Sequence, residues 1–138
     1  MPYSTLRLYF ENAVGRLLEN PKGYLVVEYK SGPRKLSDLQ AFLHHASQAL
    51  TRNNWHKMLG DQHLMSPFTP EESQWITEYW LSATHVRTTT VYGAVLLSHD
   101  VFARLSMSQL MHDAKASAMT YRLFEDLVAA EQWLVQLP

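Results

Sequence analysis

Cysteine is absent from all 138 residues, which excludes disulfides, thiolate zinc sites and cysteine nucleophiles together. An excess of positive or negative residues is lacking as well. Lys and Arg number 12 against 13 Asp and Glu, a formal net charge of -1, so no whole-chain basic field exists to hold a phosphate polymer. Nucleic acid is not an expected partner. Long apolar runs are lacking: stretches such as 24–27 and 91–97 fall far short of the roughly 20 residues a bilayer span needs. Residues 1–5 carry neither a basic region nor an apolar stretch of signal-peptide kind. The expectation is a soluble cytoplasmic protein without membrane insertion. Signatures of catalysis are missing too, with no Gly-rich phosphate loop, no Gly-x-Ser-x-Gly elbow and no His-Glu-x-x-His. An enzyme is the less favoured reading, and no catalytic residue, cofactor or metal is assigned.

What is present is ordinary globular usage, 46% hydrophobic and 18% charged, in a length that suits one core. One domain, 1–138, is expected, without repeat, linker or low-complexity tract. Alternation and β-branched or aromatic content predict strands over 6–10, 14–18 and 24–29. Glu11-Asn12-Ala13, Asn20-Pro21-Lys22-Gly23 and Ser31-Gly32-Pro33 supply the turns that follow them.

Helical signals begin at Ser37-Asp38-Leu39-Gln40, which has capping-box form, and Leu39, Phe42, Leu43, Ala46, Ala49 and Leu50 make one apolar stripe ending near Asn53-Asn54. A strand over 55–59 follows. Thr69-Pro70-Glu71-Glu72 is a second capping box, opening a helix through Thr84 with Trp75, Ile76, Tyr79, Trp80 and Ala83 on one broad face. The continuous apolar run 91–97 predicts a strand in the middle of the sheet. Beyond it, Val101, Phe102 and Leu105 share a helical face, but the phase then changes to Met107, Leu110, Met111 and Ala114. With Ser106-Met107-Ser108-Gln109 as a third box, this predicts a bend and a second helix. A strand over 120–124 and a helix opened by Glu125-Asp126, with Leu127, Ala130, Trp133, Leu134 and Leu137 buried, complete the order βββαβαβαβα. The fold class is α/β: a mixed, mostly parallel sheet with antiparallel N-terminal strands and helices packed on it.

Three local patterns accompany that order: Trp55-His56-Lys57-Met58-Leu59-Gly60-Asp61-Gln62, His99-Asp100-Val101-Phe102-Ala103-Arg104-Leu105, and Tyr121-Arg122-Leu123-Phe124 with Ala130-Glu131-Gln132-Trp133-Leu134. Together they resemble the bacterial STAS-like fold, in particular SpoIIAA-like proteins of the STAS/SEC14-like branch, over nearly the whole chain. The resemblance implies a non-enzymatic module that binds partner proteins in regulatory or sensory systems, sometimes under phosphorylation at the start of a helix. No Asp-Ser-type motif occurs here; the equivalent connection offers Ser66 and Thr69, and Thr69 also reads as an N-cap. The SEC14-like side of the resemblance implies an alternative, a carrier or sensor of a small apolar ligand.

Two groups of residues are candidates for a site. Asp61, His63, His99 and Asp100 belong to strand ends that parallel pairing brings to one carboxyl edge, where open α/β sheets place ligands. Capping of loop and helix amides is the plainer use of those acids. The seven histidines lack ligating helical spacing, His44 and His45 being adjacent. Phe68, Trp75, Tyr79, Trp80, Met107 and Met111 form the second group, an aromatic and Met-rich surplus suited to a partner protein, a homodimer contact or an apolar ligand. Core packing is its competing use. Arg7, Arg16, Lys30, Arg34 and Lys35 lie among acids and predict a solvated edge that resists strand addition.

Overall fold

Short polar turns and right-handed crossovers determine the whole topology. The computed structural model describes residues 3–80, 90–113 and 119–138. β1 (Arg7–Glu11), β2 (Gly15–Asn20) and β3 (Tyr24–Tyr29) pair antiparallel. Asn12 and Asn20 make both hairpin turns by accepting, through their side chains, the amides of Val14 and Lys22, each at 2.9 Å. The second turn needs a left-handed residue, and Gly23 supplies it at φ 98°. β4 (Lys57–Asp61), β5 (Val91–Leu96) and β6 (Met119–Phe124) then add in parallel, giving the order β1-β2-β3-β4-β5-β6.

Because each parallel strand is laid down beside its predecessor in one direction, right-handed crossovers put every connecting helix on one face. There α1 (Leu36–Asn53), α2 (Pro70–Trp75) with its π-helical continuation Ile76–Trp80, and α3 (Val101–Asp113) share a core with Leu17, Leu25, Val27 and Val95. The opposite face is covered by α4 (Leu127–Gln136), whose Ala130 and Leu134 meet Leu18, Tyr24, Val26, Leu59 and Ala94, and by Tyr3. Asp126 caps α4 by accepting from the Ala129 amide. Lys57 closes its other end, donating to the carbonyls of Leu134 at 2.7 Å and Leu137 at 2.8 Å.

The fold class and element order are those expected; several details differ. α1 starts at Leu36 after an extended Lys35 with no side-chain cap, so Ser37 and Gln40 lie inside the helix. β4 sits two residues later than expected, because the Trp55 amide still bonds to Leu50 at the end of α1. β5 is covered on both faces, yet it lies next to the edge strand β6, and β3 and β4 hold the middle. A continuous apolar run reports two-sided cover rather than central position. α3 runs unbroken through Ser106, whose hydroxyl bonds back to the Ala103 carbonyl at 3.0 Å instead of opening a new helix. The capping box at Thr69 is present in full. The expected extension of that helix through Ala83 to Thr84 lies outside the described residues, as does Ala114.

Gly93, on the helical face of the sheet, leaves no room for a side chain. A Cβ there would lie 2.5 Å from two ring atoms of Tyr121, whose hydroxyl accepts from the Trp80 indole at 3.1 Å. Gly93→Ala should therefore lower stability by about 1–3 kcal/mol through overpacking, measured by urea unfolding.

Candidate functional site

The carboxyl edge carries a connected polar cluster. β4 ends at Asp61, which is 2% exposed and points to the α4 face. One carboxylate oxygen accepts the Tyr3 hydroxyl at 2.6 Å; the other accepts the His63 backbone amide at 3.1 Å and lies 2.6 Å from His63 Nδ1. A carboxylate acceptor places the imidazole proton on Nδ1, leaving Nε2 as a base. The His63 ring meets the His99 ring edge to face, centroids 5.5 Å apart, and the His99 amide donates to the His63 carbonyl. Burial and then the Asp61 bond push the Tyr3 phenol well above its ordinary range.

Asp61, His63 and His99 are thus brought together as the parallel pairing predicts, while Asp100 is turned to α3, accepting the amides of Phe102 at 2.8 Å and Ala103 at 3.2 Å. An Asp–His pair needs a nucleophile to do acyl-transfer chemistry. The buried Ser98 hydroxyl in the adjoining loop is committed elsewhere, donating to the Met65 carbonyl and accepting the Asp100 amide, each at 3.0 Å. Among the described residues no three His, Asp or Glu side chains gather as a metal site. What the geometry builds is a tether that pins Tyr3 to the sheet and joins the loops after β4 and β5.

A second polar centre was not anticipated as such. Arg34, grouped in the sequence with the solvated basic residues, forms with Glu72 an ion pair whose side chains are each 3% exposed. Its guanidinium donates to both Glu72 oxygens at 3.0 Å and to the carbonyls of Ser66 at 3.1 Å and Pro67 at 2.9 Å. The Glu72 carboxylate also accepts the Thr69 amide at 2.8 Å, and Arg34 stacks over Phe68 at 5.2 Å. Arg7, Arg16 and Lys30 do pair with acids at the surface. Ser66 and Thr69 both have structural partners: Ser66 accepts the Gly32 amide and Thr69 caps α2.

Between the helical layer and the sheet lies a cavity of about 40 Å³. Phe68, Trp80 and Met107 line it, as do Tyr29, Gly60, Gln62 and Tyr121. The π-helical turn splits the expected aromatic face: Ile76 and Trp80 turn inward, while Tyr79 is exposed and stacks on half-buried Trp75 at 5.2 Å. Met111 packs against the core outside the cavity lining. Tyr29 and Gln62 went unrecognised in the sequence. The signal for Gln62 was its phase: carrying the β4 alternation two residues past Gly60 puts it on the helical face with Met58.

α3 has two apolar faces. Ala103, Met107 and Leu110 are buried, whereas Val101, Phe102 and Leu105 are exposed, Phe102 by 72%. Ser108, Gln109 and His112 continue the exposed stripe, which holds no Asp, Glu, Lys or Arg. No family model, no curated protein and no solved structure matches the chain.

Two predictions follow the buried polar centres. Tyr3→Phe removes a hydrogen bond to a charged acceptor and should cost about 1.5–3 kcal/mol, with a double-mutant cycle against Asp61→Asn showing coupling of at least about 1 kcal/mol. Additivity of the two losses would show that the tether carries no energy. For Glu72, burial raises the carboxyl pKa, but the hydrogen bonds from Arg34 and Thr69 outweigh it and hold it below the ordinary glutamate range. A depressed folded-state pKa adds stability that is complete above the unfolded value and is lost as pH falls through the folded one. Glu72→Gln should cost about 3–5 kcal/mol at neutral pH by leaving Arg34 buried without its counter-charge, and should flatten the acid limb of the stability–pH profile.

Proposed function

We propose that this chain is a non-enzymatic interaction module of STAS/SpoIIAA-like type, working in a cytoplasmic regulatory setting by protein association through the outer stripe of α3. The observation that carries the reading is that α3 is one unbroken helix with apolar residues on opposite faces. Its inner face already fills the core with Ala103, Met107 and Leu110. Val101, Phe102 and Leu105 therefore serve nothing inside the domain, and clustered exposed apolar side chains mark association surfaces. A second copy of the chain is the occupant this stripe suits. It bears no formal charge, so two copies meet without repulsion, and a two-fold axis sets Phe102 and Leu105 of one against the same stripe of the other. The likeness to STAS domains supports the same class of activity. Among the described residues no helix is long and apolar enough to cross a membrane.

Sedimentation velocity from low to high micromolar concentration tests the reading. The wild-type chain should show a concentration-dependent dimer. Phe102→Glu should weaken it by at least about tenfold, the equivalent of 1.4 kcal/mol, while leaving the urea midpoint nearly unchanged because the position is exposed. A wild-type chain that stays monomeric throughout, or a Phe102→Glu variant that dimerises as before, overturns the proposal.

A further inference from the structure

The cavity beneath α2 and α3 holds two buried polar side chains whose hydrogen-bonding groups are not fully met among the described residues. Tyr29 is 7% exposed, its ring packs on Phe42 and Phe68, and its hydroxyl has no hydrogen-bond partner among the described residues. Gln62 is 5% exposed; its amide nitrogen donates only to the Met107 sulfur at 3.5 Å, a weak acceptor, and its side-chain oxygen meets no donor among the described residues. Each unmet buried group costs about 1–3 kcal/mol. Phe at 29 and Leu at 62 would carry no such cost, so this sequence keeps a hydrogen-bonding pair where folding alone has no use for it.

The rest of the lining says what the pair faces. Val27, Leu43, Ile76 and Val95 are aliphatic, and no Asp, Glu, Lys, Arg or His lines the space. Met58 and Met107 give it unbranched, adaptable walls, and Gly60 leaves bare sheet, a Cβ there having nothing closer than 3.8 Å. Outside, a groove of about 470 Å³ runs between α2 and α3, and Phe68 and Leu110 line both spaces. Those two side chains stand between a shallow surface groove and the buried pair, so an occupant larger than the inner space enters only if one of them gives way.

We propose that this cavity is the binding site of a small uncharged molecule with an apolar body and a single hydroxyl, carbonyl or amide group, which hydrogen-bonds to Tyr29 and Gln62. The absence of charge in the lining selects against ions. The aliphatic and aromatic walls take the body, and the two unmet groups fix its orientation and set the preference for one polar group. Water is the competing occupant, since about 40 Å³ has room for it. This inference does not rest on association through α3.

Protein labelled with 13C at the methionine methyl groups provides the test, with p-cresol as the probe and toluene and benzoate as its apolar and charged counterparts. p-Cresol should shift the Met58 and Met107 resonances saturably while those of Met65 and Met111, outside the lining, move least. Toluene should bind about tenfold more weakly, one hydrogen bond's worth, and benzoate should leave both signals in place. Tyr29→Phe should bring p-cresol down to the toluene affinity and Gln62→Leu should weaken it as well, with Phe102→Glu having no effect on either ligand. If no probe shifts Met58 or Met107 and Tyr29→Phe folds more stably than wild type, the cavity holds water alone and the proposal fails. Equal affinities for p-cresol and toluene would also overturn it, because the buried pair would then have no part in recognition.

Discussion

The Arg34–Glu72 ion pair organises the side of the molecule where α1, α2 and the loop after β4 meet. A carboxylate and a guanidinium out of water are tolerable only when nearly every donor and lone pair is met, and here the surrounding chain meets them. Arg34 comes from the connection into α1, Glu72 from the first turn of α2, and the Ser66 and Pro67 carbonyls from the loop after β4. Two stretches of chain, 32 to 38 residues apart in sequence, are thereby held in one geometry. The arrangement also explains why a helix as short as α2 is formed at all: its capping residue and its N3 carboxylate are both committed to a buried network. Phe68 is clamped by the same network, under the Arg34 guanidinium, and Phe68 is one of the two side chains between the inner cavity and the outer groove.

The cavity itself follows from how the helices approach the sheet. α1 and α4 come close to their strands through Ala46, Ala49 and Ala130, small residues that let backbones near one another. Among the described residues α2 and α3 make fewer close backbone approaches to the strands. The gap above β4, β5 and β6 is filled by long or flat side chains, with Trp80 hydrogen-bonded to Tyr121 and the Tyr121 ring lying over Gly93. Gly60, one strand across, has no such cover, and the space above it remains open.

Much of the architecture could be read from residues because the signals were local. Asn12, Asn20 and Gly23 dictate their turns through contacts within a few residues, and Thr69 with Glu72 dictates a helix start in the same way. The misread features depend on partners that no local pattern names. Ser37 has the residues of a cap, but the chain entering α1 is held by Arg34 and its distant carboxylate, and the helix begins before the serine. Ser106 looks like a break until its hydroxyl is seen to bond within its own helix and to accept the Phe68 amide. At the candidate sites, strand-end Asp61, His63 and His99 were legible because parallel pairing alone delivers them to one edge. Tyr29 and Gln62 were not: the strand alternation gives the face on which Gln62 lies, but an unmet hydrogen bond is a property of the surroundings.

The change of hydrophobic phase along α3 is the feature where sequence and structure disagree most usefully. An amphipathic helix needs one apolar stripe, so a second stripe reads as a second helix turned to face the core. The helix is unbroken, and the second stripe faces outward. Helix propensity does not account for it, because Lys, Glu or Gln at 101, 102 and 105 would favour the helix at least as well as Val and Phe do. Core packing does not account for it either, the inner face being complete with Ala103, Met107 and Leu110. Solubility argues against it. Folding, packing and solubility are each indifferent or opposed to exposing Val101, Phe102 and Leu105, which is the physical ground for proposing association there, and the helix that offers them outward is the one whose inner residues Met107 and Leu110 wall the cavity.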